Sequence, residues 1–251
     1  MLGPLTFVSL ANIADPDAHG AYNVWHQLDH RPENLALDGV AWGERWVRSP
    51  GAAELPTERP GSVGEFHYLN MYWLTEPIDR TRRHWQQLAE QAPHQGRRPD
   101  LDLCTRPLMG YFVPVTVDVA PRLRLSAAAL PIRPNRGIHV EIVRWTDGRA
   151  PAAREAHRRF DRHRVAQLLA CDGVAGVAVL ASENTFVTHQ DLDTAADVAS
   201  TRIHLTYLDG DLTAAAEALG ALPDPPTGGA EPLHAGVLEA ITPWQWAWFQ
   251  Q

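Results

Sequence analysis

Three groups of residues in this chain have types and spacings that could do chemistry. The first is the run Trp25-His26-Gln27-Leu28-Asp29-His30-Arg31-Pro32-Glu33. A histidine near neutral pKa beside a carboxylate is a workable general acid or base, which makes His30, helped by Asp29, the leading catalytic candidate. His26, His30 and Glu33 also stand at i, i+4 and i+7, a spacing that sets ligands on one helix face. The blander account of that face is solvated polar surface, and Pro32 spoils the regular spacing beyond His30, so no metal is expected.

The second group is His139 and Glu141, alternating with Ile138, Val140 and Ile142. If the apolar side packs under helices, His139 and Glu141 point into the interior, where a carboxylate beside an imidazole must be paired or useful. Otherwise the strand end reaches solvent, or Glu141 pairs with an arginine. The third group is Tyr72 with Tyr207, whose hydroxyls could polarise a carbonyl, although tyrosine on a buried strand also simply packs well. Trp25, Trp42, Trp46, Phe66, Tyr68 and Asn70 are the residues expected to contact a substrate. Most of them would serve equally as core.

The elements that must hold these groups follow from hydrophobic spacing. Leu5 to Ala11 reads as a strand. Asp15-Pro16 supplies a helix start, and Ala21, Val24, Trp25 and Leu28 share one helical face until Pro32, which should end or bend the helix near His30. Gly39 restarts the chain into a strand over Val40 to Val47. Ser49 to Gly64 is rich in proline and glycine and reads as a loop. Glu65 to Leu74 is an aromatic strand, with both faces apolar enough to be covered. A helix follows over Glu76 to Gln91, a loop over Pro93 to Pro107, and a strand over Gly110 to Val119 whose Pro114 implies an edge or a bulge. This β-α-β-β-α-β order is the split βαβ, ferredoxin-like motif.

The pattern then restarts. After a Pro/Arg-rich link from Ala120 to Arg136, strands are expected at Gly137 to Arg144, Gly173 to Ala181, Thr201 to Leu208 and Leu233 to Thr242. Helices fill Pro151 to Leu169 and Asp211 to Leu219. Asp38-Gly39-Val40 recurs as Asp172-Gly173-Val174, Leu69-Asn70-Met71-Tyr72 as His204-Leu205-Thr206-Tyr207, and Pro107-Leu108 as Pro232-Leu233. Two copies of one unit account for this, residues 1–120 and 137–251 joined by 121–136. A four-stranded sheet with both helices on one side leaves its other face bare. The expected fold is therefore α+β, two tandem ferredoxin-like repeats packed sheet to sheet as a pseudo-dimeric barrel within one chain.

The Trp25-to-Pro32 segment, followed nine residues after His30 by Gly39, resembles the Trp-Tyr-x-x-x-His-x-Pro-x…Gly-Val pattern of EthD-like proteins, members of the dimeric α+β barrel superfamily. The first half carries the motif. The second keeps His163 but lacks the tryptophan and proline. The resemblance implies barrels made of two ferredoxin-like units with small-molecule pockets, among relatives that include polyketide cyclases, cofactor-free monooxygenases, muconolactone-isomerase-like enzymes and haem proteins. It implies a cofactor-free enzyme of cyclase, isomerase, lyase or monooxygenase type acting on a hydrophobic aromatic or polyketide-like molecule. The alternatives are a haem-binding barrel, with His30, His139, His163 or His204 as axial ligand, and a barrel that binds or supports without catalysis.

Composition closes off other classes. A net charge of −8 and a pI near 5.8 oppose a nucleic-acid partner, which needs clustered basic surface. All 22 basic residues are arginine, as a GC-rich bacterial genome would give. Two cysteines, Cys104 and Cys171, fit a reducing cytoplasm rather than a disulfide framework. The N-terminus lacks a signal-peptide pattern, and no apolar run is long enough to span a membrane. Neither a phosphate-binding glycine loop nor a nucleophile elbow is present. The tail Pro243 to Phe249, with tryptophan at alternate positions, is expected to lie extended on the barrel mouth or on another subunit in a homo-oligomer.

Overall fold

The computed structural model describes residues 2–99, 104–145, 151–182, 201–223 and 230–249. The expected loop over Pro93 to Pro107 lies partly outside them. The first half contains β1 (Leu5–Ile13), α1 (Ala18–Trp25), a π-turn (His26–His30), α2 (Arg31–Leu35) and β2 (Val40–Val47). It continues with α3 (Pro50–Ala53), β3 (Arg59–Pro60), β4 (Tyr68–Leu74), α4 (Ile78–His94) and β5 (Cys104–Val119). The second half has β6 (Gly137–Trp145), α5 (Pro151–Ala170), β7 (Val174–Ser182), β8 (Thr201–Leu208), α6 (Leu212–Gly220) and β9 (Ala230–Ala240).

The strands run in the order β2-β4-β1-β5-β7-β8-β6-β9, and β2 also pairs with β9. That pairing, Trp46 with Ala240 and Val47 with Glu239, closes an eight-stranded barrel, with β3 added on the outer side of β9. Within each half the order is second, third, first, fourth. The two four-stranded sheets thus have the same ferredoxin-like topology and meet at β5–β7 and β9–β2. The chain is a mixed α+β protein with the pseudo-dimeric barrel arrangement.

Closure decides which side of each strand is core. Val8 and Leu10 of β1, Leu69, Met71 and Trp73 of β4, Ile138, Val140 and Ile142 of β6, and Ile203, Leu205 and Tyr207 of β8 form one buried cluster inside the barrel. An eight-stranded barrel is just narrow enough for side chains to fill it. The opposite parity, Tyr68, Asn70 and Tyr72 on β4 and His139 and Glu141 on β6, faces the helices and connecting loops. This corrects the expectation that His139 and Glu141 point into the barrel. The apolar alternate residues went inside, where the barrel excludes water most completely.

One local expectation changes, and of the two offered for Pro114 the bulge holds. Pro32 does not stop the helix. It occupies the first turn of α2, and the missing N–H is absorbed by a π-turn in which the Arg31 N–H reaches back to the His26 carbonyl. Pro114 lies not on an edge but in β5 between β1 and β7, at a register shift between Pro114 and Thr116. The bulge accommodates the missing donor.

The entry to β2 depends on Gly39, whose φ is +94°. A Cβ there would lie 1.9 Å from the Thr81 Oγ1 on α4. Gly39→Ala is therefore expected to cost about 1–3 kcal/mol from backbone strain, with the clash added. A thermal melt within a degree of wild type would contradict that placement.

The C-terminal tail is not an extended ribbon. Trp244 adopts a positive φ and stacks on Trp246 at 5.5 Å, while Trp248 and Phe249 return to the first half and pack beside Tyr22 and Trp25. Phe249 stacks on His19 at 4.1 Å. The alternation in sequence reflected a bend, with only Trp244 left strongly exposed, at 73%. No described helix is long and apolar enough to cross a membrane.

Candidate functional site

The helix-facing side of the first sheet and the α1–π–α2 segment enclose a cavity of about 390 Å³. Its aromatic walls are Phe7 of β1, Trp25, Tyr72 of β4, Trp85 of α4 and Tyr111 of β5. Its polar lining includes His26, His30, Asn70, Arg98 and Arg106, with Glu90 at the α4 side.

The π-turn shapes this wall. Residues five apart in an α-helix lie roughly 140° apart around the axis and cannot stack. The wider turn brings the Trp25 and His30 rings together at 4.6 Å and 19°. His26 meets the His30 ring edge-on at 4.8 Å. Asn34 places its Nδ2 3.1 Å from the His30 Nε2, and with the amide in this orientation Nε2 accepts and the ring proton sits on Nδ1.

Atoms surround His30 on nearly every side although part of its ring stays accessible from the cavity. Burial, then the charges of Arg106, Arg98, Arg45 and Arg97, push its pKa down to about 3. Burial likewise holds His26 well below the usual histidine range, reinforced by Arg45. Burial raises the Tyr72 phenol to about 12, with Asn34 pulling the other way. At neutral pH the cavity therefore presents neutral imidazoles and a protonated phenol. Three of its buried polar atoms, Trp25 Nε1, His26 Nδ1 and the Tyr72 hydroxyl, make no hydrogen bond. Native interiors leave few such groups without a partner, and these three belong to residues that line one cavity, which makes it the candidate ligand site.

Behind this wall Arg45 is fully buried. Its guanidinium donates to Asn70 Oδ1 at 3.0 Å, Asn23 Oδ1 at 3.0 Å and Gln27 Oε1 at 3.3 Å, and lies over the Tyr22 and Tyr68 rings. Burial pulls its pKa down, but nothing suggests that it loses its proton. It fixes Asn70 and places positive charge behind the cavity.

Several expected site residues fall elsewhere. Asp29 does not orient His30. Its carboxylate accepts from Arg97 at 2.8 and 3.0 Å, and Glu33 is bound by the same guanidinium. The proposed metal triad therefore separates, and no group of three ligand-type side chains forms among the described residues. Trp46 and Phe66 are in the barrel core, and Trp42 packs against it. Tyr68 is behind the site, receiving a hydrogen bond from Asn23 at 2.8 Å and sharing one with His19 at 2.7 Å. Tyr72 and Tyr207 do not match. Tyr72 faces the helices, whereas Tyr207 faces the barrel interior.

His139 and Glu141 lie across the molecule from His30, under the second-half helices. Glu141 is bound by Arg164 of α5 at 2.9 and 3.0 Å. Burial alone would raise this carboxyl; the Arg164 hydrogen bonds and the charge of His139 reverse that and hold it at about 2. On the same side Asp161 joins His204 at 3.1 Å and Arg202 at 3.5 Å. His163 is exposed on α5. Among the four histidines considered for haem, His163 is on the surface, His139 and His204 line neither of the two main cavities, and His30 has its Nε2 engaged by Asn34. None of these four presents an unengaged Nε2 to either cavity and none fits an axial ligand, whereas His26 lines the His30 cavity and His19 and His67 line the larger one, the latter two bonded through Nδ1.

A larger hollow of about 640 Å³ lies near the tail, lined in part by His19, His67 and Phe249. There His19 meets the Tyr68 hydroxyl at 2.7 Å and His67 accepts from the Ile13 N–H at 3.2 Å, both through Nδ1. The cavity at His30 is the better candidate.

No protein-family model matches this chain, and no curated protein does. Solved structures do. A DyP-type peroxidase from Mycobacterium smegmatis superposes with a TM-score of 0.55 at 10% identity, over 96% of this chain and 94% of that one. A candidate chlorite dismutase superposes at 0.52 and 12% identity, over 95% and 94%. A candidate monooxygenase from Fusobacterium nucleatum superposes at 0.51 and 9% identity, over 96% and 94%. At these identities the likeness establishes the dimeric α+β barrel fold and nothing about chemistry.

Proposed function

We propose that this chain is a small-molecule enzyme of the EthD-like kind, working in its first half without a cofactor in the cytoplasm. In this reading the cavity takes a hydrophobic, aromatic or polyketide-like molecule between Trp25, Tyr72, Trp85 and Tyr111. His30 moves a proton, and the Tyr72 hydroxyl polarises a substrate oxygen. Asn70, held by Arg45, orients the ligand. The observation that carries the reading is the set of unpartnered polar atoms on residues lining one aromatic cavity beside His30. The second half, whose equivalent layer is filled by the Glu141–Arg164 and Asp161–His204 contacts, serves as support.

The test pairs a panel of aromatic acids, anthrones and polyketide-like phenols with wild type and His30→Gln, following product formation by mass spectrometry. Loss of a positioned acid–base group is expected to lower turnover about 10²–10⁴-fold while the melting temperature stays nearly constant. Full activity in the His30 variant would remove His30 from the chemistry. Native mass and the visible spectrum of the purified protein test the haem alternative, since added mass with a Soret band would replace this reading. Failure of all ligands to bind would leave a supporting or binding role for a different molecule.

A further inference from the structure

We infer that the ligand of the His30 cavity is an organic anion, an aromatic carboxylate whose charge is received by Arg98 and Arg106 while its ring enters between Trp25, Tyr72 and Trp85. The inference rests on the reading of this cavity as the working site and names the class of molecule it takes.

Among the described residues the charges around the cavity do not balance. Arg98 and Arg106 both line it, and the one carboxylate among its lining residues is Glu90, which is exposed on α4 and already accepts from Gln86 at 2.7 Å. Arg106 donates to the Ser9 hydroxyl at 3.0 Å, a neutral partner. The guanidinium of Arg98 lies 5.8 Å from the centre of the Trp25 ring, although the residue as a whole is exposed at the rim. Neither forms an ion pair among the described residues. Arg97, by contrast, is matched by Asp29 and Glu33, and Arg48 by Glu58. Arg45 adds a third positive charge through Asn70, again among neutral acceptors.

Guanidinium forks match carboxylates bidentately, and a partly desolvated site makes that match stronger than it is in water. The aromatic walls supply the complementary demand. A ring laid against the wall that Tyr72 and Trp85 form, where they meet edge to face at 4.7 Å, would gain apolar contact while its carboxylate remained at the arginine end. A neutral ligand of the same shape would leave both arginines as they are.

The anion would also change His30. The groups that face this imidazole are Arg45 from β2, Arg97 and Arg98 after α4, Arg106 from β5, and His26 and Asn34 from its own segment. All the charged ones are cationic, and they disfavour a protonated ring. A carboxylate among them offsets that field, so His30 can take a proton at Nε2 with the Asn34 amide turned to offer Oδ1. Ligand binding would then bring a weakly basic imidazole into the range where it transfers protons efficiently.

Titration calorimetry with 1-naphthoate and the neutral isostere 1-naphthamide tests this on the intact protein. Naphthoate is expected to bind at least tenfold more tightly than the amide, with affinity falling as salt is raised. Arg106→Gln, and separately the rim variant Arg98→Gln, should weaken naphthoate binding roughly tenfold to a hundredfold and leave amide binding unchanged. Repeating the titration at pH 6 in buffers of different ionisation enthalpy should show proton uptake with naphthoate, which His30→Gln abolishes. No naphthoate binding, or equal affinity for acid and amide, overturns the proposal. Tight naphthoate binding that is lost in the arginine variants, combined with full turnover in His30→Gln, would keep the anion site and reject the proton-transfer role.

Discussion

Replacing Glu141 with glutamine is expected to destabilise the fold by about 3–5 kcal/mol, the usual consequence of removing one partner from a buried ion pair. Glu141 is 8% exposed and Arg164 6%. Arg164 also meets Gln167 Oε1 at 3.2 Å and the Pro223 carbonyl at 3.5 Å, and neither carries charge. The glutamine keeps the shape and an oxygen that can accept from Arg164, but removes the negative charge that faces this guanidinium and His139, whose own pKa burial has lowered to about 4. For a chain of this length the loss should appear as a fall in melting temperature of about 10 °C or more. The double variant Glu141→Gln/Arg164→Met should recover much of it, because an apolar side chain of similar length no longer requires a counter-charge. A single variant that melts with wild type would mean that water reaches this pair.

That result bears on how far the sequence alone could be read. The strand and helix order, the repeated topology and the barrel were legible, because alternation and turn residues are local signals. The side of the sheet facing inward was not. His139 and Glu141 alternate with isoleucine and valine whichever side is inside, and parity does not say whether apolar residues meet helices or the barrel lumen. Tyr72 and Tyr207 show the same limit. Their sequence match is one residue out of step with the strand faces, and a slip of one reverses every side chain.

In the site, Trp25, His30, Asn70 and Tyr72 could be found from motif and strand pattern. Arg106, Trp85 and Tyr111 could not, since they arrive from α4 and β5 and nothing within those segments points to His30. Arg45 offered a faint signal, an arginine between Trp42 and Trp46 in a strand whose other charged residue is Glu44. Asp29 misled because adjacency in sequence is not adjacency on a helix: neighbouring positions point in different directions, and the Asp29 carboxylate is held by Arg97.

Acid should unfold this protein well before its carboxylates protonate. Burial lowers the pKa of His19, His139 and His157 to about 4 and of His30 and His234 to about 3, with His26 well below its ordinary value and His67 also lowered. In each case the folded chain binds a proton less readily than the unfolded chain does. Stability is therefore complete above the unfolded value near 6.5 and is lost as pH falls from there toward 4 and 3. Each histidine contributes up to about 1.4 kcal/mol per pH unit in that window. Burial raises Glu44 and Glu58, which oppose the trend at lower pH, whereas Glu141, held low by Arg164, adds to the loss below about 4.5. With seven histidines acting together, the melting temperature is expected to fall by about 10 °C or more between pH 7.5 and 5.5. The arginines that help keep His30 neutral are offset by a bound carboxylate, so naphthoate should protect against acid more effectively than naphthamide does. A flat melting temperature across that interval would show that these histidines reach solvent in the folded state, and would take the enclosed, arginine-dominated setting of His30 with it.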